Sequence, residues 1–360
     1  MRSLGVRNFR LSLSWTRLLP HGTGEPNQEG VAFYSRLIDA LGAACIEPFV
    51  TLYHWDFPLS LYEQYGGWTT ERVVADFTAY AEVAFKLFGD RVKNWVTLNE
   101  PETFCDQGYG SGVHAPGRCS DRARCTEGDS STEPHLCSYY ALLAHASAVR
   151  SFRKLVPGGR IAMSTSIGMS VPLTDSAADV AAADRQQTFN AGHFLDPIYT
   201  GDWSDVRKAA VGSVLPAFTP QQRQLLLDTR QDFIALQHYT ARYTYHNASA
   251  PPLYASDTTV GADGVPLPRA DSPWLHVFPS AFRDLLGWLH RRYNQTIIVT
   301  ENGCSAPGEG SRPMHEVLCD LDRFRVDYFR QYIGNATAAV EEDGVMLEGY
   351  FAWSLLDNFE

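Results

Sequence analysis

Lys93-Asn94-Trp95-Val96-Thr97-Leu98-Asn99-Glu100-Pro101 reads as a buried strand that ends on a carboxylate. Its interior is aromatic and β-branched, and Pro101 stops it directly after Glu100. Thr296-Ile297-Ile298-Val299-Thr300-Glu301 repeats the design: an apolar run delivers a glutamate, and Asn302-Gly303 turns the chain. In a chain with 41 acidic residues the ordinary reading of a glutamate is a solvated side chain, so it is the strand-end context that singles these two out. In a (β/α)8 barrel the C-terminal strand ends are where catalytic groups sit. Two carboxylates are also what cleavage of a glycosidic bond requires, one to protonate the leaving oxygen and one to meet the charge growing on the sugar carbon.

Outward from these runs, strand-like and helix-like segments alternate along the whole chain, the pattern of a parallel sheet with crossover helices. Strands are expected at Asn8–Ser14, Ile46–Tyr53, Val92–Asn99, Arg160–Ser166, Asp232–Tyr239, Thr296–Glu301 and Leu347–Trp353. Helices are expected at Val31–Leu41, Thr70–Phe88, Ser138–Leu155, Pro279–Tyr293 and Asp320–Glu341; in Thr70–Phe88, Val73, Phe77, Tyr80, Ala84 and Phe88 recur three to four residues apart. The expected fold is α/β, a single (β/α)8 (TIM) barrel domain over residues 1–360. Seven strands are one short of eight and the chain stops just after the seventh, so the barrel is expected to be incomplete at both ends. Two Pro- and Gly-rich loops, Gly108–Pro134 and Ala248–Pro273, are expected to shape a cleft.

Composition narrows the function. With 360 residues and 44% hydrophobic content the chain can bury a large core. A formal charge of −11 with no basic run argues against nucleic acid and fits an uncharged substrate. No stretch approaches the ~18 apolar residues of a membrane helix, and the N-terminus does not read as a signal peptide. The seven cysteines, 45, 105, 119, 125, 137, 304 and 319, leave at least one unpaired. Cys119 and Cys125 bracket a short polar loop, and their spacing fits either a small disulfide or two free thiols. No second pair stands at ligand spacing, so no metal site is expected. Sequons at Asn247, Asn294 and Asn335 give some support to a glycoprotein on a secretory route, extracellular or vacuolar.

Eight motifs in order carry a family resemblance: NFRLSLSWTR (8–17), TLYHWDFP (51–58), GGW (66–68), WVTLNEP (95–101), GSGVHAPGRC (110–119), DFIALQHYT (232–240), IIVTENG (297–303) and LEGYFAWSLLDNFE (347–360). Together they make the chain resemble the family 1 glycoside hydrolases, within them the plant and algal β-glucosidases. The resemblance implies a retaining β-glycosidase that needs no cofactor and takes a small β-glycoside or short β-oligosaccharide. It places Glu100 as the acid/base and Glu301 as the nucleophile, with carboxyl groups ~5–5.5 Å apart as retention demands. Arg10 and Tyr239 match residues that support the nucleophile, and Asn99 matches one that contacts the hydroxyl next to the reacting carbon. His54 and Trp55 match residues that hold the sugar, Trp353 the platform under its ring, Trp274 a wall of the aglycone slot, and Glu360 a carboxylate that grips the outer hydroxyls. The Cys119–Cys125 pair matches one that is bridged in plant members.

The details narrow the reaction further. Glu100 is not Gln, so the chain does not resemble a thioglucosidase, and Glu360 disfavours a phosphorylated sugar. Two departures stand out. Met1–Val6 aligns with a helix, so the family's first strand is expected to be absent together with the last helix. Gln237 stands where the family usually has Asn, one methylene longer in a tight site. A non-catalytic barrel-fold binding protein and a transglycosidase are the alternative readings.

Overall fold

Ten short strands form two sheets in the computed structural model, which describes residues 1–317 and 322–356. They are β1 (Asn8–Ser12), β2 (Glu47–Tyr53), β3 (Asn94–Asn99), β4 (Arg160–Ser166), β5 (Met169–Pro172), β6 (Ile234–Gln237), β7 (Ala241–His246), β8 (Ala255–Thr258), β9 (Ile297–Glu301) and β10 (Leu347–Tyr350). The larger sheet has the order β1-β2-β3-β4-β6-β9-β10, and its seven members are the seven strands expected from the sequence. Register partners such as Arg10 with Phe49, Val50 with Trp95 and Trp95 with Ile161 are parallel. Parallel neighbours require long crossovers, which is why helices lie between the strands in sequence.

The chain groups into two compact units, the first made of Met1–Thr165, Phe194–Trp203 and Gly212–Ile234. It holds β1 to β4 and the start of β6. β3 is buried at every position, and β2 at every position after Glu47, because parallel strands are covered on both faces. Helix Arg72–Phe88 lays Val73, Phe77, Tyr80, Ala81, Ala84, Phe85 and Phe88 into this core. Trp15 stacks on Tyr80 at 4.9 Å between ring centres, and Phe85 meets Trp95 and Phe152 edge-on. Two disulfides brace the unit. Cys119–Cys125 closes the short loop, and Cys105–Cys137, which the sequence did not reveal, joins helix Pro101–Tyr109 to helix Glu133–Leu155. Cys45 and Cys304 are free, and Cys319 lies outside the described residues.

The second unit comprises Ser166–His193, Ser204–Val211 and Ala235–Glu360. It carries the rest of β6 with β9 and β10, backed by helices Pro279–Tyr293 and Asp322–Glu341, where Phe282, Tyr328 and Tyr332 pack ring on ring. It also contains a feature absent from the sequence reading. β5, β7 and β8 form a three-stranded sheet, with β8 inside the stretch expected to be loop. β5 and β8 are four residues each, and β8, Ala-Ser-Asp-Thr, has no apolar alternation to announce it. Helix Ala177–Thr200 was equally silent, its N-terminal half built largely of Ala with few apolar anchors. Among the described residues no helix is long and apolar enough to cross a membrane.

Candidate active site

The first unit gathers Arg10 from the middle of β1, His54 and Trp55 just after β2, and Asn99 and Glu100 at the end of β3. Asn99 is the hub. Its Oδ1 accepts from Arg10 Nη2 at 2.5 Å and from Ser164 Oγ at 3.2 Å, which fixes the amide orientation. Asn99 Nδ2 therefore points at His54 Nε2, 3.1 Å away. An amide nitrogen only donates, so the neutral His54 ring carries its proton on Nδ1 while this bond is made. Trp55 Nε1 donates to the Asn99 carbonyl at 2.9 Å. Trp55 holds a left-handed backbone, φ 72°, uncommon for an aromatic residue. The corner after it closes through Phe57 N–H on the Trp55 carbonyl.

Asp56 ties this corner down. Burial pushes its carboxyl up to about 6, outweighing the opposing effects of Ser14 and of the His54 and Asp56 backbone. Behind the sheet, Thr97 Oγ1 contacts His145 Nδ1 at 2.8 Å. Burial, with the Arg153 charge, lowers His145 to about 3, so this histidine is a neutral structural residue.

Glu100 leaves β3 with φ 44° and ψ 63°, then caps helix Pro101–Tyr109. Its N–H donates to the Ser164 carbonyl, and its own carbonyl accepts from Thr103 and Phe104. The left-handed turn is how a strand passes directly into a helix with no linker, and Pro101 suits the first helical position because that N–H would be orphaned anyway. Glu100 is buried at 8% exposure.

The second unit builds the setting of Glu301, itself only 4% exposed. Gln237 Nε2 donates to Oε1 at 2.5 Å and Tyr239 Oη donates to Oε2 at 2.6 Å. Asn302 Nδ2 donates to the His238 carbonyl and to Tyr328 Oη, while Tyr350 Oη donates to Asn302 Oδ1. Gly303 brings the chain so close to the Trp353 carbonyl that a Cβ would sit 2.0 Å from that oxygen, so only glycine fits there. Trp353 N–H in turn donates to the Asn302 carbonyl, fixing the base of the half-buried indole. Trp274, 52% exposed, meets Tyr239 edge-on at 5.8 Å. His238 stacks on Phe282, donates from Nδ1 to the Ile167 carbonyl, and is lowered to about 4 by burial. Glu360 lies outside the described residues.

The family model described as glycosyl hydrolase family 1 matches residues 1–360. The chain is a family 1 glycoside hydrolase. It is 40% identical to beta-glucosidase 40 of Arabidopsis thaliana, over 100% of this chain and 73% of that protein. It is 43% identical to beta-glucosidase 1B of Phanerodontia chrysosporium, over 99% of this chain and 67% of that one. Among solved structures, the rice Os3BGlu6 beta-glucosidase superposes with a TM-score of 0.94 at 38% identity, covering 100% of this chain and 78% of its own. A Humicola insolens beta-glucosidase in complex with glucose gives 0.95 at 40% identity, covering 100% and 77%. The fold class is therefore the (β/α)8 barrel, of which the larger sheet shows seven parallel strands.

Three supports of the residues singled out in the sequence had no signal there. Ser164 anchors both Asn99 and Glu100, and a serine inside a strand carries no signal. Tyr328 and Tyr350 hold Asn302 from elements distant in sequence. The direct bond from Gln237 to Glu301 had a trace, since residues 237 and 239 share one face of a strand.

Proposed function

We propose that this chain hydrolyses β-glucosides with retention, Glu301 acting as nucleophile and Glu100 as acid/base. The observation that carries the reading is Glu301 itself: a buried carboxyl at a strand end with a donor on each oxygen. The two donors fix the orientation of the group that would attack the anomeric carbon. Support comes from the beta-glucosidase relatives and from a rice variant described in a covalent complex with glucose.

In the first step a Glu301 oxygen forms a bond to the anomeric carbon as the bond to the aglycone oxygen breaks. Glu100 delivers its proton to that departing oxygen. In the second step Glu100 takes a proton from water, whose oxygen attacks the same carbon and releases Glu301. Asn99 and His54 fit hydroxyl contacts, Trp55 and Trp353 fit sugar-facing aromatics, Trp274 fits an aglycone wall, Arg10 fits a cation supporting the charge, and Glu360 fits the grip on outer hydroxyls. Two disulfides favour an oxidising, secretory route, which thiol mapping of the protein from its source would refute by finding all cysteines reduced.

Rates with an aryl β-glucoside test the roles. Glu301→Gln is expected to lower kcat by at least about a thousandfold with every substrate. Glu100→Gln is expected to slow alkyl glucosides far more than nitrophenyl ones, whose leaving group needs little protonation. Near-normal turnover by Glu301→Gln, or an inverted first-formed sugar by NMR, sinks the assignment.

A further inference from the structure

Gln237, one of the two departures read from the sequence, is given a role by the structure. The side chain is fully buried at the end of β6, and its amide nitrogen reaches Oε1 of Glu301 at 2.5 Å. Tyr239 takes Oε2 from two residues further on. Rotating the carboxylate about its bond to the chain would stretch both hydrogen bonds at once, so the pair fixes the plane of the group.

The backbone that carries the amide is also held. Ile167 N–H donates to the Gln237 carbonyl at 2.9 Å, and His238 N–H donates to the Glu301 carbonyl at 3.0 Å. Thr300 Oγ1 donates to the Leu236 carbonyl, and Asn302 Nδ2 to the His238 carbonyl. Residues on both sides of Gln237 are thus tied to residues on both sides of Glu301. From such a fixed base an asparagine, shorter by one methylene, falls short of Oε1.

We propose that Gln237 is a positioning residue for the reaction, holding the Glu301 carboxylate in the orientation from which it attacks the anomeric carbon. This rests on Glu301 being the nucleophile. During attack one carboxylate lone pair forms the new bond, the aglycone oxygen leaves with the old pair and takes the proton of Glu100, and the Gln237 amide keeps its own protons. A group held at the required angle loses less freedom on reaching the transition state, so the effect belongs to the bond-forming step and not to sugar binding.

The test uses a 2-deoxy-2-fluoro-β-glucoside with a good leaving group, which traps the covalent intermediate, on wild type, Gln237→Leu and Gln237→Asn. Trapping rates over a concentration series separate binding from bond formation, and peptide mapping finds the labelled residue. The saturating rate is expected to fall at least about tenfold in the leucine variant, with the binding constant within about threefold. The asparagine variant, although it restores the family's residue, is expected to be slower than wild type. A saturating rate within about twofold of wild type in both variants, or a loss confined to binding, overturns the proposal. If the leucine variant fails to fold, as a thermal melt would show, the asparagine variant alone decides. Label on a residue other than Glu301, or no label on wild type, overturns the nucleophile reading and this inference with it. Label on Glu301 with unchanged rates overturns this inference alone.

Discussion

Asp56 shows what a single side chain gives up to hold a functional corner. Its carboxyl supports the turn that carries His54 and Trp55, but burial raises it from 3.8 to about 6. The unfolded chain releases this proton near pH 4 and the folded chain keeps it until about pH 6. Stability from this residue is therefore full below pH 4 and falls as pH rises through 6. That difference corresponds to at most about 3 kcal/mol. Asp56→Asn should match wild type in urea denaturation at pH 4 and exceed it by up to that amount at pH 7.5. Equal stability at both values would mean that burial does not dominate this carboxyl. The same residue marks where sequence reading stops: the motif around it points to the corner proposed to hold the sugar, but only packing shows that the aspartate faces inward.

Among the elements, strand ends were legible and their supports were not. Inner strands of the main sheet stand out because burial leaves continuous apolar runs, as in Asn94–Asn99 and Ile297–Glu301, whereas β1 and β10 have no fully buried position. The small sheet does not, since four-residue strands with polar faces resemble loop. The Cys105–Cys137 bridge was hidden for another reason. Thirty-two residues separate the pair, and only the packing of helix Pro101–Tyr109 on helix Glu133–Leu155 brings them together. It secures the helix that begins immediately after Glu100. By chain entropy, closing this loop contributes about 4 kcal/mol and closing the six-residue Cys119–Cys125 separation about 2. Thermal melts should thus show a larger fall for Cys105→Ala/Cys137→Ala than for Cys119→Ala/Cys125→Ala, by a few degrees. The reverse order would mean that the long bridge adds little to the helix packing already present.

For the molecule as a whole, the catalytic register of the sheet depends on backbone that stability alone would not choose. Glu100 takes its position through a left-handed turn at φ 44°, a conformation in which any side chain beyond glycine is strained, at roughly 1–3 kcal/mol. A residue that simultaneously ends a strand and opens a helix is thus a weak point in the folded chain, and the acid/base role proposed for Glu100 gives a reason to keep it. The ordinary ranking of small residues should invert there: Glu100→Gly is expected to melt above Glu100→Ala, by about 1 kcal/mol in the unfolding free energy, although glycine elsewhere in regular structure destabilises. Alanine equal to or above glycine would show that the turn is relaxed. Selection for thermostability that ignores turnover is then expected to drift toward glycine at position 100, producing a sturdier barrel without the carboxyl proposed to donate the proton.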